Sequence, residues 1–159
     1  MAAERCVLNT PIGRMAIEAL DQAIVRVDLR AASEELRDPE SPLLHRAATQ
    51  LQEYFAGQRK QFDLPMQRPT GASAFQQRVW DAMLAIPFGE TRAYGELAAE
   101  LGTSPRAVGG ACGGNPLPIL VPCHRVVAKN GLGGYSGDWE TGMAVNVKKA
   151  LLYLEQSDA

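Results

Sequence analysis

Between residues 5 and 30 the apolar side chains alternate with a period of two, whereas the amphipathic runs that follow repeat at helical spacing. A chain carrying both periods has to pack helices on a sheet. The alternating part reads Arg5-Cys-Val-Leu-Asn9, a turn at Thr10-Pro-Ile-Gly13, then Met15, Ile17 and Ala19, and after Asp21-Gln22 the set Val25, Val27 and Leu29. A small antiparallel sheet is the economical result. Ser41 and Pro42 suit an N-cap and a first turn. Leu43, Ala47, Leu51 and Phe55 then recur on one face until Gly57, which predicts a helix covering the sheet. The polar, proline-containing stretch from Leu64 to Gly71 reads as a linker. The expectation is an α+β chain in two parts, an N-terminal α/β domain over residues 1–68 and a mostly α-helical C-terminal domain over residues 69–159.

In the second part, Ser73 and Gln76 have the spacing of a capping box, and Phe75, Val79 and Met83 line one face of the helix they open, with Trp80 in its core and Pro87 beyond its end. A helix from about Arg92 sets Tyr94, Leu97, Ala98 and Leu101 on one side and stops at Gly102. Ser104 and Pro105 then cap another, through Cys112, so two short helices are joined at helix-turn-helix spacing. A last helix shows Met143, Val147, Leu151 and Leu154 as its apolar face.

A length of 159 residues with 46% hydrophobic content allows one sizeable core or two small ones. No run approaches the roughly 18 apolar residues of a membrane span, and the N-terminus lacks the pattern of a secretory signal, so the reading is a cytoplasmic protein with no membrane partner. Cys6, Cys112 and Cys123 are odd in number and contain no CxxC pair, which suggests neither a disulfide framework nor a zinc site. The net charge of −2 argues against bulk electrostatic binding of nucleic acid. Yet residues 101–137 hold Arg106, Arg125 and Lys129 and no acid, whereas residues 1–70 hold nine Lys or Arg against ten Asp or Glu. Such a stretch is either a loop-rich region short of acids or a modest, salt-sensitive DNA-facing surface.

The second helix of the pair offers no Asn, Gln or Lys to address base edges. Its small residues, Ala107 to Ala111, would let it approach a sugar-phosphate backbone closely, and they would equally let two helices pack tightly. Beyond it, Pro116, Pro118 and Pro122 are expected to hold the chain extended toward Cys123-His124, with helix excluded. A reactive thiol needs a neighbouring base or cation, and His124 and Arg125 are at hand. Neighbours on an extended chain point apart, so adjacency alone does not place His124 on the Cys123 sulfur, and a water could bridge the two. The plainer alternative is a cysteine that serves as a small buried hydrophobe. His45 and His124 are the only histidines and lie far apart, which disfavours a metal.

The run RAVGGACGGNPLPILVPCHRVVAKNGLGGYSG, Arg106 to Gly137, resembles the active-site domain of the O6-alkylguanine-DNA alkyltransferases, also called methylated-DNA-protein-cysteine methyltransferases. The resemblance extends through Phe75, Trp80 and Phe88-Gly-Glu-Thr-Arg-Ala-Tyr94 back to Asn9-Thr-Pro-Ile-Gly13. It implies repair of double-stranded DNA by transfer of an alkyl group from guanine O6 to Cys123, with thymine O4 left open as a second donor. The transfer would be single-turnover and need no cofactor and no metal. It further implies that His124 takes the thiol proton through a water, that Glu155 orients His124, and that Asn115 braces the cysteine loop. Glu155 stands near a helix C-terminus, where an acid opposes the macrodipole, and the alternative is a solvated surface residue. Tyr94 would bond the flipped base and press on the phosphate. Arg106 would replace the extruded nucleotide from the minor groove, with Ser104, Ala107 and Gly109 beside it on the DNA. Tyr135, Ser136 and Gly137 would wall the guanine pocket, Gly137 leaving room for groups larger than methyl, and Pro118 and Val126 would border the alkyl group. A monomer is expected, with clustering on DNA left open.

Three features depart from the family pattern. The stretch between Ser136 and Lys148 is long, Gly113 stands where a basic residue is common, and the N-terminal part lacks the cysteine and histidine sets of metal-binding relatives. Two rival readings remain, a non-reacting module that holds damaged DNA and a Cys-His hydrolase acting on acyl groups. The first lacks an acceptor cysteine, and the second leaves the helix-turn-helix without a purpose.

Overall fold

Strands β1 (Glu4–Thr10), β2 (Gly13–Leu20) and β3 (Ala23–Asp28) pair antiparallel in that order. Asp21 at φ 57° and Gly13 at φ 110° supply the left-handed residues that tight turns demand. A register shift between Glu18 and Ala19 sets Ala19 opposite Ile24 while Ile17 stays opposite Val27. The bulge changes the phase of β3, so its buried residues are Ile24 and Val27 and the expected Val25 is only half-buried. The centre of the sheet is covered on both faces, because the consecutive residues Cys6, Val7 and Leu8 of β1 and Met15, Ala16 and Ile17 of β2 are all buried; Val7 and Ala16 pack on Ala31, and Val7 exchanges two backbone hydrogen bonds with Arg37 along the edge of β1.

Helix α1 (Pro42–Phe55) begins where expected, with the Ser41 hydroxyl accepting from the Leu44 N–H. Its buried stripe is Leu44, Ala47, Ala48, Leu51 and Tyr54, one position away from the expected Leu43 and Phe55 at its two ends. Gln50 is buried on the same helix and fully used, donating to the Asp63 carbonyl and accepting from the Asp63 N–H.

The computed structural model describes residues 3–68, 71–129, 131, 133 and 143–157. They form two units, Met1–Thr70 and Gly71–Ala159. In the second, α2 (Ala74–Leu84) carries the capping box between Ser73 and Gln76 and buries Val79, Trp80 and Met83. A two-residue strand β4 (Arg92–Ala93) runs directly into α3 (Tyr94–Leu101), and α4 (Pro105–Gly113) follows after three residues. Gly102 closes α3 at φ 69°, and the Ser104 hydroxyl caps the first turn of α4 through the Ala107 N–H. A single 3-10 turn (Cys123–Arg125), strand β5 (Val126–Val127) and helix α5 (Met143–Ser157) complete the unit. Among the described residues no helix is long and apolar enough to cross a membrane.

Helix α5 departs from its expected stripe. The Met143 side chain lies outside the described residues, Val147 and Leu154 are half-buried, and the covered face is Lys148, Leu151, Leu152 and Glu155. Two of the four are ionisable, which an apolar-periodicity reading passes over.

Candidate active site

Asn115 organises the chain leading to Cys123. Its side-chain amide donates to the Val121 carbonyl at 2.9 Å and its oxygen accepts from the Leu117 N–H at 2.9 Å, so one residue clamps both ends of the loop. Ile119 sits at φ 74°, a left-handed conformation that a β-branched residue adopts only when its surroundings hold it there. The expectation of an extended chain at the cysteine is corrected here. Residues 123–125 form a 3-10 turn, closed by the Arg125 N–H donating to the Pro122 carbonyl at 3.0 Å. Proline forbids a helix interior but is harmless at a cap, and Pro122 occupies the cap. Successive side chains on such a turn are about a third of a revolution apart rather than opposed, which brings Cys123 and His124 nearer to a common face.

Strand β5 pairs parallel with β4, Arg92 opposite Val126 and Ala93 opposite Val127. Tyr94 follows β4 and Cys123 precedes β5, so this short pairing joins the helix-turn-helix to the cysteine turn. Cys123 is buried and in no disulfide. His124 is wholly buried, and its Nε2 lies 2.6 Å from Glu155 Oε2. Nδ1 of His124 makes no hydrogen bond among the described residues. Burial lowers the proton affinity of His124 against the opposing pull of Glu155. A neutral ring that donates from Nε2 to Glu155 keeps its Nδ1 lone pair available, as a base requires. Glu155, at 1% exposure, is not a solvated surface residue.

Tyr94 is buried at the start of α3, and burial raises the proton affinity of its phenolate, reinforced by Cys112 and Cys123. It lines a cavity of ≈550 Å³ with Pro105, Arg106 and Gly110. Arg106 and Ser104 are exposed at the N-terminal end of α4, and Ala107 is half-buried. Gly109 is buried, with Val108, Ala111 and Cys112, on the face turned into the unit. The small residue that reaches the cavity is Gly110, and the expectation of a DNA contact at Gly109 is corrected accordingly. Pro118 and Val126 are buried near the cysteine turn in sequence, and Tyr135, Ser136 and Gly137 lie outside the described residues.

The sequence reading passed over Lys148. It is fully buried, donates to the Val126 carbonyl at 2.7 Å and to the Tyr94 hydroxyl at 3.4 Å, and burial pushes its ammonium down to about 8. Cys112, whose Sγ lies 3.5 Å from Met83 Sδ, is pushed up to about 12 by burial, which leaves it an inert thiol at neutral pH. The signal for Lys148 was present, since it precedes Glu155 by two helical turns and Leu151 and Leu152 lie between them on the same face.

Fold and site together define a class: a small sheet-and-helix unit and a helix-turn-helix unit whose cysteine precedes a buried histidine–carboxylate pair. The chain belongs to the 6-O-methylguanine DNA methyltransferase family, matching its DNA binding domain over residues 74–157 and its ribonuclease-like domain over residues 5–67. It is 41% identical to the constitutive methylated-DNA–protein-cysteine methyltransferase of Bacillus subtilis, over 93% of this chain and 92% of that one. Its identity to the methylated-DNA–protein-cysteine methyltransferase of Methanosarcina acetivorans is 37%, covering 95% and 97% of the two chains. Its structure is similar to that of the Mycobacterium tuberculosis protein crystallised in complex with DNA, with a TM-score of 0.81 and 38% identity over 98% of this chain and 94% of that chain.

Proposed function

We propose that this protein repairs DNA by moving an alkyl group from O6 of guanine to the sulfur of Cys123, once per molecule. The observation that carries the reading is the buried His124–Glu155 pair, with Nδ1 of His124 unpartnered among the described residues, on the same turn as Cys123. In this mechanism His124 Nδ1 takes the Cys123 proton through one water, and Glu155 stabilises the imidazolium that forms. The thiolate attacks the alkyl carbon in line, a C–S bond forms, the C–O6 bond breaks, and its electron pair leaves with guanine. Tyr94 donates a hydrogen bond to the departing base. The thioether product is not hydrolysed, which makes the reaction stoichiometric.

The DNA-facing side is Arg106, Ser104, Ala107 and Gly110, entering the minor groove, with Arg106 filling the place of the flipped nucleotide. Pro118 and Val126 border the alkyl group, and Tyr135, Ser136 and Gly137 wall the base. Asn115 holds the loop in register. Residues 1–68 act as the N-terminal domain and 69–159 as the domain that binds DNA and accepts the alkyl group, in a monomer working in the cytoplasm. The reaction uses no cofactor.

The test is incubation with a duplex oligonucleotide containing O6-methylguanine, followed by peptide mass spectrometry. One methyl group on the Cys123 peptide is expected, and Cys123→Ala is expected to keep DNA binding and lose transfer. Transfer that survives in Cys123→Ala, or an unchanged protein mass after prolonged exposure, overturns the proposal. Repeated turnover of an acyl ester would point instead to a hydrolase.

A further inference from the structure

Arg125 is buried, and its guanidinium is held on several sides. Nε donates to Glu155 Oε1 at 2.8 Å, Nη2 to Glu155 Oε2 at 3.1 Å and Nη1 to the Ile86 carbonyl at 2.7 Å, while Cζ lies 5.8 Å from the centroid of the Phe88 ring. His124 Nε2 is bonded to that same Oε2. One carboxylate therefore serves two cationic or potentially cationic partners, and the two-point fork of Arg125 fixes which oxygen faces the ring. A carboxylate paired with imidazole alone in a dry site would draw a proton onto the ring and spoil it as a base. A second buried positive charge beside the pair opposes that.

We propose that Arg125 is a positioning residue for alkyl transfer: its fork orients Glu155 and keeps His124 neutral, with Nε2–H donated to Glu155 and Nδ1 left to accept the Cys123 proton. The proposal rests on the reading of His124 as the base for Cys123. Helices α2 and α5 pack on the turn that carries His124. The covered face of α2 is Val79, Trp80 and Met83, and α5 contributes Glu155, which favours the charged ring, and Lys148, which with Arg125 disfavours it. Loss of the Arg125 charge therefore raises the proton affinity of His124.

The experiment is the single-turnover rate of methyl transfer from an O6-methylguanine duplex, followed from about pH 5 to about pH 8, where histidine titrates. In Arg125→Gln the acid limb of the profile is expected to move to higher pH by about one unit, seen as a loss of about tenfold on the acid side that recovers as pH rises. In Arg125→Lys, which keeps charge without the fork, the limb stays in place and the rate falls at every pH. A purely structural role would lower the amount of active protein without moving the limb, so profiles of Arg125→Gln that superimpose on the wild type after correction for folded fraction overturn the proposal. Should that variant not fold, the nitrogen NMR shifts of the His124 ring in the wild-type protein decide, with His45→Gln used for assignment. A neutral Nε2–H tautomer at about pH 6.5 is expected there, and an imidazolium or an Nδ1–H tautomer overturns the proposal. If the wild type itself shows no transfer to Cys123 at any pH, the functional reading falls and takes this role with it. Wild-type transfer with an unshifted Arg125→Gln profile removes the role alone.

Discussion

His124, on the same turn as Cys123, shows how burial turns an ordinary side chain into a reactive one. His124 has its proton affinity lowered from the ordinary 6.5, burial outweighing the pull of Glu155. The unfolded chain thus binds more protons at this position, so the contribution of His124 to stability is full above about pH 6.5 and is lost as the pH falls below it. Thermal unfolding of the wild type is expected to show a fall in midpoint between about pH 6.5 and about pH 5 that is smaller in His124→Gln. An identical slope in the two proteins would mean that His124 does not titrate in this way. Gly133 makes a second case. It sits at φ 77°, and a Cβ there would lie 2.7 Å from Tyr94 Cε2 and 3.2 Å from both the Tyr94 hydroxyl and the Ala128 nitrogen. Gly133→Ala is expected to cost about 1–3 kcal/mol in chemical denaturation, through strained backbone and displaced phenol, and to slow transfer. Wild-type stability and rate in that variant would show that the loop yields freely.

At the level of elements, caps and one short strand pair do most of the placing. The N-cap of α4 was legible in the sequence because Ser104-Pro105 is a local signal, and so was the capping box of α2. The β4–β5 pair was not, because two residues carry no period and their partners are 34 positions apart, Arg92 with Val126 and Ala93 with Val127. The exposed start of α4 depends on its cap. Ser104→Ala removes the acceptor for the Ala107 N–H and is expected to destabilise the unit by about 1 kcal/mol in thermal melts. It should also weaken binding to duplex DNA more than it slows transfer from a free O6-alkylguanine base, and an equal loss in both assays would place the effect elsewhere.

Across the whole molecule the net charge is −2, so affinity for DNA has to come from a local surface rather than from total charge. With few cations in the acid-free stretch, binding should lose affinity only gently as salt rises, a shallow slope reflecting few phosphate contacts. Arg106 is exposed at the mouth of the ≈550 Å³ cavity that Tyr94 lines. Arg106→Ala is expected to slow transfer from duplex DNA at least about tenfold while transfer from the free base stays within about twofold, measured side by side at one salt concentration. Parallel losses on the two substrates would remove Arg106 from the proposed flipping step.

What the chain alone determined were the features written in near neighbours: strands from a period of two, helices and their caps, the glycine stops, and a cysteine and histidine side by side. Tertiary structure decided the rest. Only folding set Glu155 against both His124 and Arg125, across about thirty residues of chain. It also buried Lys148 against Tyr94 and Val126, turned Gly109 inward in place of Gly110, and wound the proline-led approach to Cys123 into a 3-10 turn. The physical reason is common to the first three. Periodicity reports which side of an element is apolar, whereas the fate of an ionisable or small side chain depends on which distant groups the fold brings to it.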